Sequence, residues 1–145
     1  MSRDVPEDLQ RFVDAQAAVY DTVVAELAAG QKTSHWMWFI FPQLKALGRS
    51  PTAKYYGLAS AAEALAYWQH PLLGKRLAEC TKLMMTAHGK TAHDVLGSPD
   101  DLKFRSCLSL FAEVAPQEPL FKQALQRFYS GQPDPQTRAL LKTEG

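Results

Sequence analysis

The chain has 145 residues, 46% of them apolar and 21% charged, enough for a single domain spanning 1–145 that buries roughly 70% of the surface its unfolded chain exposes, and too apolar for an intrinsically disordered one. Its 16 Lys and Arg against 15 Asp and Glu leave a net charge of +1, with no long run of either sign, which argues against electrostatic capture of nucleic acid or of an anionic membrane surface. Acidic residues at Asp4, Glu7, Asp8, Asp14, Asp21 and Glu26 are unlike a signal peptide, and the run Trp36 to Phe41 is far too short to span a bilayer, so the expected location is cytoplasmic.

In chain order, the first pattern runs from Pro6 to Ala29. Leu9, Phe12, Val13, Val19, Tyr20, Val23 and Leu27 recur at three- and four-residue spacing, which predicts one amphipathic helix closed by Gly30. The apolar run from Ser34 to Pro42 fits a buried strand or a buried helix by periodicity. No second alternating segment exists to pair with such a strand, whose backbone groups would then go unsatisfied. A short helix capped by Ser34 and ended by Pro42 is therefore expected.

A capping residue followed by proline then marks three helix starts, Ser50-Pro51, Ser98-Pro99 and Asp134-Pro135. Ser60 and Glu63 make a capping box ahead of Leu65 and Trp68. Pro71 opens a segment with Leu73, Leu77, Cys80 and Met84 on one face, ended by Gly89. Two clean stripes follow: Phe104, Cys107, Leu108, Phe111 and Val114, then Phe121, Ala124, Leu125 and Phe128 before Gly131. The predicted fold is all-α, a single compact bundle of about six to eight orthogonally packed helices. Cys80 and Cys107 fall on apolar faces and are expected as reduced core thiols.

Chemistry is concentrated in Lys32 to Gln43, KTSHWMWFIFPQ. On one reading Trp36 or Trp38 offers a stacking face to a planar ligand, with His35 and Gln43 bonding at the rim; on the other the aromatics are core. His35, in a first helical turn, is either a satisfied structural histidine or a neutral imidazole able to act as acceptor, acid or base. Arg76 borders an apolar stripe and needs a partner, either a ligand anion or an aspartate such as Asp101. Lys103 and Ser106, three apart on one helix, can face one cleft. Asp100 and Asp101 suit a first turn through the helix dipole, with Asp101 also a candidate general base; Tyr55 and Tyr56 are half-buried packing or hydrogen-bonding groups. No phosphate-binding glycine loop, HExxH, CxxC or GxSxG occurs, and the four histidines do not converge, so neither a metal nor a cofactor is expected.

The segment HWMWFIFPQ resembles the hallmark of an uncharacterised bacterial family, the domain of unknown function numbered 1810, labelled calpastatin-like in some genomes. DLQRFVDAQ, LGRSPTAKYYGL, EALAYWQHPLLGKRL and SPDDLKFRSCLSLF are similar to it as well. The resemblance implies an all-helical fold and no agreed activity, and it gives weight to Lys103 and Ser106; nothing here resembles the disordered inhibitory repeats of calpastatin. A looser similarity in element order to the ADP-ribose-processing proteins of the NADAR type implies a sugar-nucleotide pocket, although the acidic residue of their aromatic helix is missing.

Two functions follow as expectations. One is a nucleotide- or ribose-like small-molecule site, hydrolytic in the stronger version, with His35 or Asp101 for proton transfer and Trp36, Trp38, Gln43, Tyr56, Arg76, Lys103 and Ser106 for binding. The alternative is a protein-interaction or accessory module without catalysis. Convergence of the polar candidates on one concave surface would favour the first.

Overall fold

The computed structural model describes residues 4–144. Ten α-helices occupy them: α1 (Asp4–Ala17), α2 (Tyr20–Ala28), α3 (Met37–Ile40), α4 (Pro51–Tyr55), α5 (Ala61–Gln69), α6 (Leu73–Met85), α7 (Ala92–Leu96), α8 (Asp100–Val114), α9 (Leu120–Tyr129) and α10 (Pro135–Glu144), with a 3-10 turn at Lys45–Leu47. Seven of these helices have nine residues or more. Among the described residues there is no strand, only an isolated parallel bridge between Leu44 and Leu58, and no helix is long and apolar enough to cross a membrane.

Helix α8 is the hub, packed by α5, α7, α9 and α10. One cluster joins the buried side chains from Leu9 to Leu125. Its largest members, Phe12, Trp36, Phe41, Tyr67, Phe104, Phe111 and Phe121, each stabilise the fold by roughly 1.5–3 kcal/mol through burial. They meet in the tilted and edge-on arrangements that aromatic quadrupoles favour, as in Phe41 on Phe104 at 4.7 Å and Trp68 on Phe121 at 5.1 Å. Between α5 and α6 the backbones touch: a Cβ on Gly74 would lie 2.0 Å from the Trp68 carbonyl oxygen.

Two of the expected helix starts hold in atomic detail. Ser50 Oγ accepts from the Ala53 amide at 3.1 Å, and Asp134 Oδ2 accepts from the Thr137 amide at 2.9 Å, each ahead of a proline at the first helical position. Ser60 Oγ accepts from the Glu63 amide at 3.1 Å, but Glu63 reaches back to the amide of Ala59 at 2.7 Å rather than to that of Ser60.

Other expectations need correction. The segment from Pro6 to Ala29 is two helices, α1 on α3 and α5, α2 on α6. The apolar spacing stays in phase across the break at Ala18 and Val19, so periodicity gives no sign of it. Ser34 does not cap α3: its hydroxyl bonds Glu26, and Trp36 takes the cap position. Helix α8 begins with Pro99 at the cap and no side-chain cap bond, so Ser98 does not serve there. Helix α6 stops at Met85, four residues before Gly89. Its start is held by His70, whose Nδ1 accepts from the amides of Leu72 and Leu73 at 3.1 and 3.3 Å. Helix α7 went unread although Thr91 and Asp94 form a full capping box. The split and α7 explain why ten helices stand where about eight at most were expected. Cys80 and Cys107 are free and buried; burial pushes the Cys80 thiol up to about 12 and that of Cys107 well above its usual range.

Candidate functional site

The bridge at Leu44 builds one wall of a groove. Lys45 N donates to Leu58 O at 2.8 Å and Leu58 N to Gln43 O at 2.9 Å, and only glycine fits at 57, where a Cβ would sit 2.4 Å from the Lys45 Cα. Gln43 is thus held by its backbone, and its amide side chain lines the groove. The floor is α8, whose Leu102, Lys103 and Ser106 share one face, with Pro99 at its cap. Leu47, Arg49, Ser50 and Ala53 complete the first wall, and Asp134 and Gln136, at the start of α10, form the other. The volume is about 500 Å³, within the roughly 300–1,000 Å³ of small-molecule pockets.

This groove has two extensions. Towards the core, Met37, Trp38, Phe41 and Tyr56 close around about 10 Å³ that shares Gln43, Ala53 and Lys103 with the main groove; that space holds about one water molecule. Outward, a lobe of about 370 Å³ lined by Ala46, Ala139 and Leu140 shares Leu47, Arg49 and Gln136 with it.

Five residues singled out from the sequence, Trp38, Gln43, Tyr56, Lys103 and Ser106, therefore line one surface. Lys103 Nζ lies 5.9 Å from the Trp38 ring centroid and 3.9 Å from Asp100 Oδ1, while the other Asp100 oxygen is held by Lys32 at 2.9 Å. Ser106 faces the groove, but its hydroxyl donates to Leu102 O at 3.2 Å. Burial, with Tyr55 adding to it, pushes the Tyr56 phenol up, which keeps it protonated and able to donate. Groove cations outnumber acids: Arg49 and Lys103 face one acid, Asp134, whose Oδ2 is occupied by the Thr137 amide and hydroxyl. Among the described residues the side chains of Gln43, Arg49 and Gln136 make no hydrogen bond or ion pair. Neither Arg49 nor Gln136 was singled out; each stands beside a helix start, where no periodic pattern marks the direction of a side chain.

The other candidates are elsewhere. Trp36 is 1% exposed and offers no face to a ligand. Its indole donates to Glu26 Oε1 at 2.9 Å, and the same carboxylate accepts from the amides and hydroxyls of Thr33 and Ser34. Burial works against the charge on Glu26, but the bonds from the Ser34 hydroxyl, the Thr33 amide, the Trp36 indole and the Ser34 amide outweigh it and hold the group at about 2. His35 is exposed and outside the groove. Arg76 stacks on Tyr20 at 4.4 Å and donates to Gln16 Oε1 at 3.4 Å. Its partners are these two residues and not Asp101. Gln16 in turn donates to Phe39 O and the Tyr67 hydroxyl, which makes Arg76 the outer end of a buried polar chain. Asp101, two residues before Lys103 and so about 200° away around α8, lies on the Tyr129 side, where its carbonyl accepts from the Tyr129 hydroxyl and its Oδ1 is buried with no partner among the described residues.

A larger cavity of about 580 Å³ opens between α1, α4 and α5. Of the residues considered from the sequence Tyr55 lines it, exposed rather than half-buried, and the Arg11 side chain is committed there to Tyr55 O, Gly57 O and Glu63.

A family model described as "Protein of unknown function (DUF1810)" matches residues 6–141. The chain is also similar to a solved structure, that of the conserved hypothetical protein Rv1873 from Mycobacterium tuberculosis, with 51% sequence identity, a TM-score of 0.92, and coverage of 94% of this chain and 98% of that one. No curated protein matches.

Proposed function

The chain belongs to the DUF1810 family, and from that premise we propose that the groove on α8 binds a small anionic ligand of the nucleotide or sugar phosphate class. The observation that carries this reading is the convergence of Gln43, Lys103 and Ser106 with Arg49 and Gln136 on one concave surface that also carries Leu47, Ala53, Pro99 and Leu102 and has more cations than acids. A few polar groups on an apolar wall suit a ligand that must be oriented as well as held, and a guanidinium and an ammonium together suit phosphate oxygens. Neither acid–base candidate, His35 or Asp101, lines the groove, so we assign it binding and no reaction.

The test is a thermal-shift screen against nucleotides, ADP-ribose, NAD and sugar phosphates. A ligand at a hundredfold over its Kd adds about 2.7 kcal/mol of stability. Lys103→Ala should roughly halve the shift, the effect of a tenfold weaker Kd, with the circular dichroism spectrum unchanged, while His35→Ala should leave it intact. No shift from any anion would overturn the reading. It would favour the second one, a protein-interaction surface, for which the 58% exposure of Leu102 is the specific support.

A further inference from the structure

Resting on that reading, the geometry points to a nucleoside phosphate whose phosphate lies between Lys103 and Arg49 and whose base lies in the outer lobe against Leu47, Ala139 and Leu140, not against Trp38. Volume excludes the aromatic end: about 10 Å³ between Trp38 and Tyr56 has no room for a heterocycle, whereas the outer lobe offers about 370 Å³. Charge sets the orientation. Both cations line the main groove, and only Arg49 lines the lobe, so the anionic end belongs in the groove and the neutral end in the lobe.

The chemistry of the lobe fits a base in particular. The faces of a heterocycle are apolar, and the lobe supplies Ala139 and Leu140 from α10 and Leu47 from the facing 3-10 turn to cover them. Its edge needs both a donor and an acceptor, which the Gln136 amide provides from one side chain. Arg49, shared by the two compartments, can stack its guanidinium plane on the ring or fork to the phosphate. A bare sugar phosphate would satisfy the cations and leave the lobe empty, so it should bind through the groove alone.

The experiment is a methyl and indole NMR titration of the full chain, isotope-labelled at Ala and Leu methyls and Trp indoles, with AMP and in parallel with ribose 5-phosphate. AMP should move the methyl signals of Ala139, Leu140 and Leu47 by ring current and leave the Trp38 indole in place; ribose 5-phosphate should bind without moving Ala139 or Leu140. Lys103→Ala should weaken both ligands about tenfold, the effect of losing one charge-assisted contact. Binding of AMP that moves the Trp38 indole and leaves Ala139 and Leu140 unmoved would overturn the placement while leaving the groove as the binding site. Binding of neither ligand at millimolar concentration would overturn the placement together with the reading beneath it.

Discussion

Trp36 and Trp38 stand two residues apart in one motif and belong to different regions. Beside Trp36 the polar groups close on the protein at Glu26: five donors from Thr33, Ser34 and Trp36 converge on its carboxylate, and the indole is buried. Trp38 is half-buried at the end of a groove whose Gln43, Arg49 and Gln136 side chains bond nothing among the described residues. A polar residue beside an aromatic is structural where its bonds close on the protein and is available to a ligand where they do not.

The largest effect expected from this contrast is on stability. Trp36→Ala should cost roughly 3–5 kcal/mol through the cavity and the lost bond to Glu26, and Trp38→Ala less than half of that, by urea unfolding; equal costs would erase the distinction. Glu26→Gln should cost about 2 kcal/mol, since the amide keeps one acceptor oxygen and sets an NH2 donor where the second carboxylate oxygen accepted. The sign of its pH dependence follows from a folded pKa lowered to about 2. The carboxylate stabilises the fold above its unfolded value of about 4.3, and that contribution fades as the pH falls through the range down to about 2. Acid unfolding of Glu26→Gln should therefore lack this component, and a parallel acid profile for wild type and variant would contradict the role given to Glu26. Smallest of all, Arg49→Ala and Gln136→Ala should change stability by no more than about 0.5 kcal/mol, because neither side chain closes a bond in the fold.

Much of the helical frame was legible in the sequence. The Ser50-Pro51 and Asp134-Pro135 starts and the stripes of α8 and α9 rest on local chemistry, which a sequence displays directly. The break between α1 and α2 was not legible, because Phe12, Gln16, Tyr20 and Val23 keep helical spacing across it while the two helices pack on different partners. In the groove, Lys103 and Ser106 were readable as a pair from their spacing, and Gln43 from its place after the aromatic run. Arg49 was not, since it precedes a cap with no pattern around it, and Arg76 misled because a cation beside an apolar stripe looks alike whether its partner is a ligand or, as here, Tyr20 and Gln16. Glu26 was not legible as a structural acid, for its donors come from the following loop and only the folded chain brings them to it.

The central claim is that the unspent polarity around Lys103 is reserved for an anion. Isothermal titration with AMP of the wild type, Lys103→Ala and Arg76→Ala tests it most directly. Saturable binding by the wild type and Arg76→Ala, with about tenfold or greater loss in Lys103→Ala at unchanged Tm, is the result expected. Equal affinity in wild type and Lys103→Ala would contradict it.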